Sequence, residues 1–307
     1  MIVFDGEKRD VLNLAFTPDG STLAVGGGDP AIELWEVASG TVDARIGVDL
    51  RYCHDALRFD PSGQWLLVAG AQRPLVAHEV RGRCAIDLTA NWFAIPFAIS
   101  PTGRQIVHTH NSTHYRSIRM PEVTGSVPEW EVRIYPEYET YSLPVGLGFG
   151  PDGTHLVSAE RTTSPERRDR PRVALRSAAT GEVVAEAGVP ILYPEGFAVS
   201  PVDACAVVRG GMSLFVYDTA DLGAGPQKVT NDNRKYFTAI AFHPSGKFLA
   251  ATSNDATVKL YDTETWTVTT TFAWNIGRLR SIAFSPDGLL AAAGSDTGKV
   301  VVWDVDV

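Results

Sequence analysis

Three histidines stand close together in this 307-residue chain: His108, His110 and His114 of the segment HTHNSTH. Imidazole nitrogens are common zinc ligands, and three of them leave a fourth position open for chemistry. Strand alternation would put His108 and His110 on one face, with His114 returning after a turn. The competing reading places His108 in the packing between layers, hydrogen-bonded and neutral. The spacing matches no established metal motif, so the expectation is no metal, with these three as the candidate ligands. Other chemistry is scarce. No glycine-rich phosphate loop and no serine nucleophile elbow occurs. Gly26-Gly27-Gly28 closes a strand and opens no helix, so it reads as a turn. Cys53, Cys84 and Cys205 are scattered without metal or redox spacing and read as buried free thiols. No catalytic residue and no cofactor is expected.

A second set of residues is suited to recognition. Tyr52, Trp92, Tyr141, Tyr193 and Tyr236 recur six to eight residues before the Phe, Ile or Val that anchors successive short apolar strands, and Trp274 ten before. Arg9 takes the matching place in the first unit. Tyr, Trp and Arg dominate interface hot spots because they offer large contact area at low entropy cost. Two longer segments add to them. Tyr135–Val145 interleaves Tyr138 and other tyrosines with acids and would suit a basic partner. Glu160–Arg172 carries five arginines, Arg167 and Arg168 among them, against three acids, and would suit an acidic or phosphorylated segment. The structural alternative for the aromatics is filler; for the basic segment it is a solvated loop.

The elements that must carry these residues repeat. Pro18, Pro61, Pro101, Pro151, Pro201, Pro244 and Pro286 each follow a short apolar strand. All but Pro201 are followed two residues later by Gly, and six of the seven have Phe or Ile two residues before. Their separations, 40 to 50 residues, fall in the range of four-stranded propeller blades. A second marker keeps the same frame: Trp35, His78, Tyr217, Tyr261 and Trp303 close a β-branched run and precede Asp or Glu. In the fourth unit Arg176 stands at that place.

The motifs LAFTPDG…IELWEV, IAFHPSG…VKLYDT and IAFSPDG…VVVWDV resemble the WD40 repeat family, and the resemblance covers essentially the whole chain. It implies one all-β domain over 1–307: a seven-bladed β-propeller of four-stranded antiparallel blades. The ring would be closed by Met1–Phe4 pairing onto Val300–Val305, with residues 1–5 as the outer strand of the last blade. Closure removes the exposed edges that invite aggregation. The family's hydrogen-bonded tetrad is mostly missing: no His stands nine residues before any first-strand anchor. Stability is therefore expected to rest on apolar packing more than on polar networks. Units one, six and seven are regular; two to five are not. The extra chain of units three and four emerges on one face, called the top, opposite the Pro-Asp-Gly turns.

Two functions follow from that fold. The first is a noncatalytic scaffold that binds a protein or peptide on the top face. The second is a propeller enzyme, a lactonase-like or metal-dependent hydrolase, with Glu7, Asp55, Asn91, Glu195 and Asn233 as candidates around the axial mouth. Net charge −9 argues against nucleic acid and anionic membrane as partners. No apolar run approaches the roughly 18 residues needed to span a bilayer. The expectation is a cytoplasmic protein, monomeric by itself.

Overall fold

The computed structural model describes residues 1–5, 10–28, 31–48, 57–69, 74–82, 84–89, 96–110, 114–119, 129–134, 142–162 and 171–305. They form seven four-stranded antiparallel sheets. Each sheet is a blade, and the innermost strand of each comes first in the chain. Those inner strands are Val11–Phe16, Leu57–Phe59, Phe97–Ile99, Ser142–Phe149, Gly196–Val199, Phe237–Phe242 and Leu279–Phe284. The seventh blade takes its outer strand from the other end of the chain. Ile2–Asp5 pairs antiparallel with Lys299–Asp304, with Val3 opposite Val301 and Phe4 opposite Val300. The expected ring closure is thus present, one residue further along than Met1–Phe4. Among the described residues no helix is long and apolar enough to cross a membrane.

The core is divided. Seven apolar clusters form, one at each seam between neighbouring blades. Second strands are covered on both faces, which is why their sequences are near-continuous apolar runs. Trp65–Ala69, Phe248–Ser253 and Leu290–Ser295 are buried along all but their first residue. Leu289 belongs to the preceding turn and is exposed. Outer strands such as Thr41–Ile46 and Val268–Ala273 have one face in water and alternate accordingly.

The recurrent Pro-x-Gly has a packing reason. Gly63, Gly103 and Gly153 sit at φ near +70° in the bottom turns, where an L side chain is strained. A Cβ on each would come within 3.0 to 3.3 Å of the marker proline of the preceding blade: Pro18, Pro61 and Pro101. The turns therefore nest against one another around the bottom of the ring.

The tetrad is absent, but other buried groups occupy the seams. Arg176, at the tryptophan position of blade four, is 1% exposed. Its guanidinium bonds the buried Glu160 carboxylate (2.7 Å) and the Ile134 carbonyl of blade three (3.3 Å), and lies 5.2 Å from the Tyr115 ring centroid. Arg172 donates to Glu160 (2.8 Å) and to the same Ile134 carbonyl (2.6 Å). Elsewhere the seams use Tyr217 to the Gly188 carbonyl, Arg209 to the Phe237 carbonyl, His243 with the Gly288 carbonyl, and Ser281 to the Val11 carbonyl. In blade one Glu33, also buried, accepts from Trp35 Nε1 and Arg45. In blade six the buried Lys259 bonds Asn231 (2.8 Å) and Asp232.

Two outcomes follow. Phe4 is 2% exposed and stacks on Trp35 at 5.0 Å between centroids. Phe4→Ala is expected to lower stability by about 3 kcal/mol, the usual cost of a large-to-small core change. Urea unfolding reads this, and an unchanged midpoint would remove Phe4 from the closure. Arg176→Met leaves Glu160 buried with less compensation and should cost about 3 kcal/mol. Adding Glu160→Leu should recover most of that loss; a double variant as unstable as the single one would contradict the ion-pair account.

Candidate functional site

Tyr193 and Tyr236 are the exposed large aromatics among the described residues, at 69% and 54%. Both flank one turn on the top face: Gly211-Met212, between strands Cys205–Gly210 and Ser213–Asp218 of blade five. Gly211 sits at φ +59°, and the Tyr236 ring lies 3.4 Å from where its Cβ would stand. A Cβ on Gly210 would run into Ile191, so the segment entering blade five can lie directly over the turn. That arrangement buries part of Ile191 and turns Leu192 (65%) and Tyr193 outward; Met212 (38%) is exposed beside them.

Arg209 fixes the two flanking segments. Its guanidinium donates to the Glu195 carboxylate (3.0 Å), the Glu195 carbonyl (2.7 Å) and the Phe237 carbonyl (2.7 Å). Backbone bonds complete the frame: Glu195 N–H to the Arg209 carbonyl (2.8 Å), Phe237 N–H to Gly211 (2.9 Å) and Asn231 N–H to Met212 (2.9 Å). The Tyr193 ring also receives the Arg161 guanidinium at 5.4 Å, from the second strand of blade four. The result is a rigid apolar patch spanning the top of blades four to six. Arg161, Arg234 and Lys235 stand at its edge. Such a surface offers aromatic anchors whose conformational cost is already met by the fold.

Of the other sequence candidates, Trp274 is placed apart. It is half-buried, stacked on Phe272 (5.7 Å) and tilted against Trp303 (4.5 Å), with Nε1 donating to Met1 Sδ at 3.1 Å. Arg9, Tyr52, Trp92, Tyr138, Tyr141, Arg167 and Arg168 lie outside the described residues, as do Glu7, Asp55 and Asn91. Glu160, Arg161 and Arg172 belong to strands, so the basic segment is shorter than its sequence suggests. Glu195 is held by Arg209. Asn233 is bonded to Asp255 and to the Lys235 N–H. Leu192 and Met212 escaped the sequence reading, which held Arg161 only as part of the basic segment; the adjacent Gly210-Gly211 was the signal that could have located them.

The histidines share one face of blade three. His110 pairs directly with His114, and His108 pairs with Arg116, which is bonded to Glu131. His108 is 2% exposed, and its Nδ1 is 2.7 Å from the Thr109 carbonyl oxygen. Among the described residues no three His, Cys, Asp or Glu side chains form a group able to hold a metal. Burial pushes the His108 ring down to about 4, with the Thr109 hydrogen bond opposing it. Against the expectation of buried thiols, Cys84 is exposed; the half-buried Cys205 thiol is pushed up to about 12 by burial.

A closed ring of seven four-stranded blades with a rigid patch on one face is a β-propeller of the kind that presents loops for binding. The "WD domain, G-beta repeat" family model matches residues 1–36, 226–262 and 266–304. Those three segments are WD40-type repeats within a seven-bladed β-propeller, and they are the units most regular in sequence. It is similar to actin-interacting protein 1 of Drosophila melanogaster, 29% identical over 121 residues, covering 38% of this chain and 20% of that protein. It is 31% identical over 88 residues to pre-mRNA-processing factor 19 homolog 2 of Arabidopsis thaliana, covering 28% and 17%. To ribosome biogenesis protein BOP1 of Rattus norvegicus it is 23% identical over 315 residues, covering 98% and 39%. The chain thus spans well under half the length of these relatives.

His108 gives a pH prediction. A folded value below the ordinary 6.5 means the fold holds the neutral ring. Its contribution is complete above pH 6.5 and is lost as pH falls from there towards 4, by on the order of 3 kcal/mol. His108→Phe should flatten the stability curve across that window relative to the parent; parallel curves would show that His108 carries no part of the slope.

Proposed function

We propose that this chain is a noncatalytic interaction module that binds a protein or peptide on its top face, across blades four to six. The observation that carries this reading is the pairing of Tyr193 and Tyr236 on either side of one glycine turn. Exposed aromatics held by a buried arginine clamp are the type of group that supplies binding energy at interface centres. Leu192 and Met212 extend the apolar area. Arg161, Arg234 and Lys235 form a cationic edge that suits a partner segment with apolar side chains flanked by acids. The kinship with an actin-interacting protein and a ribosome biogenesis protein is in keeping with an interaction role. Glu195 and Asn233, the described candidates for a hydrolase, are engaged by Arg209 and Asp255, which leaves the interaction reading better supported.

The test is a pull-down with quantitative mass spectrometry, comparing the parent with Tyr193→Ala/Tyr236→Ala. Leu289→Ala and Val202→Ala, exposed apolar residues on the bottom turns, serve as opposite-face controls. Each hot-spot truncation costs about 1–2 kcal/mol, so the double variant should lose partner recovery at least ~10-fold while the controls keep it. Equal recovery by the double variant and the parent would sink the top-face assignment.

A further inference from the structure

A channel of about 700 Å³ runs along the ring axis and is lined by all seven inner strands. Its wall is layered by the repeat. Two residues before the marker prolines, at the bottom, phenylalanines such as Phe59, Phe149, Phe242 and Phe284 form an apolar ring. One residue higher, six blades carry Ala15, Ala98, Gly148, Ala198, Ala241 and Ala283. The seventh residue of that layer, in blade two, is Arg58, which is exposed and lines the channel. Three residues higher still, about 10 Å up the strand, the layer holds Leu12 and Thr238 together with Glu195 and Arg280.

The charges on this wall do not balance. Glu195 and Arg209 answer each other. Arg58 and Arg280 form no ion pair or hydrogen bond among the described residues, and Arg280 Nε is buried with no partner among the protein atoms. Blades seven and two lie on either side of blade one, so the two guanidiniums flank the same inner strand, Val11–Phe16. A buried guanidinium donor without an acceptor is costly, and natural structures rarely leave one. A narrow apolar cleft also concentrates the field of the charges on its wall.

We propose that the axial channel is a binding site for an organic anion: a carboxylate or phosphate head on a slender apolar body. The head takes the forked donors of Arg280, which match planar and tetrahedral oxyanions, and Arg58, lower on the wall, adds its positive charge. The body lies along the small-residue layer, above the phenylalanine ring. The chain's net charge of −9 opposes indiscriminate anion binding, so an anion that binds reports a local site. This site is separate from the Tyr193–Tyr236 patch.

Isothermal titration of the full chain with octanoate, octyl phosphate and octanol tests it. A short apolar peptide, with free or amidated C-terminus, distinguishes a chain end from a small molecule as the source of the anion. At least one anionic probe is expected to bind at least ~10-fold tighter than its neutral counterpart. Arg58→Ala and Arg280→Ala should each weaken it several-fold, Arg58→Lys less, and Tyr193→Ala/Tyr236→Ala not at all. Preference for the free peptide identifies a chain end; preference for octanoate or octyl phosphate identifies a small molecule. Equal binding of anionic and neutral probes, no binding by any probe, or undiminished binding by an Arg58→Ala/Arg280→Ala variant with parental circular dichroism would overturn the proposal.

Discussion

No blade of this molecule can bury its own faces. Each apolar cluster is shared by two blades, so every contribution to the core requires a neighbour, and the seven seams close only as a set. The pairing of Ile2–Asp5 with Lys299–Asp304 is the point where that requirement becomes covalently non-local. It joins residues some 300 positions apart, at a large loop-closure cost that grows only slowly with chain length. Phe4 on Trp35 then ties the closing strand into the seam between blades seven and one. The channel, the bottom nest of turns and the rigid top all depend on that ring being complete.

Much of this architecture could be read from residue types. Pro, Gly and the apolar run between them are enforced by geometry: the glycine by positive φ against a neighbour's proline, the run by burial on both faces. What could not be read was the replacement of the missing tetrad. Arg176 at a tryptophan position looked like decay of the repeat. Its acid, Glu160, sits sixteen residues away and its carbonyl acceptor, Ile134, lies in the preceding blade. Buried ion pairs are specified by three-dimensional closure, and spacing along the chain does not reveal them.

The candidate site was legible in part. The offset before each inner strand singled out Tyr193 and Tyr236, because that connection emerges on the top face whatever its sequence. The same offset also selected Trp274, whose ring is spent on Phe272 and Trp303. A one-dimensional position fixes the face of the disc, not the radial depth, and depth decides whether an aromatic meets solvent or a neighbouring ring. The histidines show the same limit: alternation correctly put His108 and His110 on one face, but the Thr109 carbonyl that His108 meets lay beyond it.

The seams differ in their chemistry. Between blades three and four two arginines reach one carbonyl; between four and five a tyrosine hydroxyl does so. An arginine, a histidine and a serine serve the next three. A chain made of near-copies faces a bookkeeping hazard as it collapses, because any blade's flank could lodge against any other. Seams whose polar partners differ in type or position act as addresses: a misplaced blade would strand a buried charge or hydroxyl, and the correct order is the one in which each is satisfied. Divergence among the repeats is, on this view, what lets seven similar parts assemble in a single sequence.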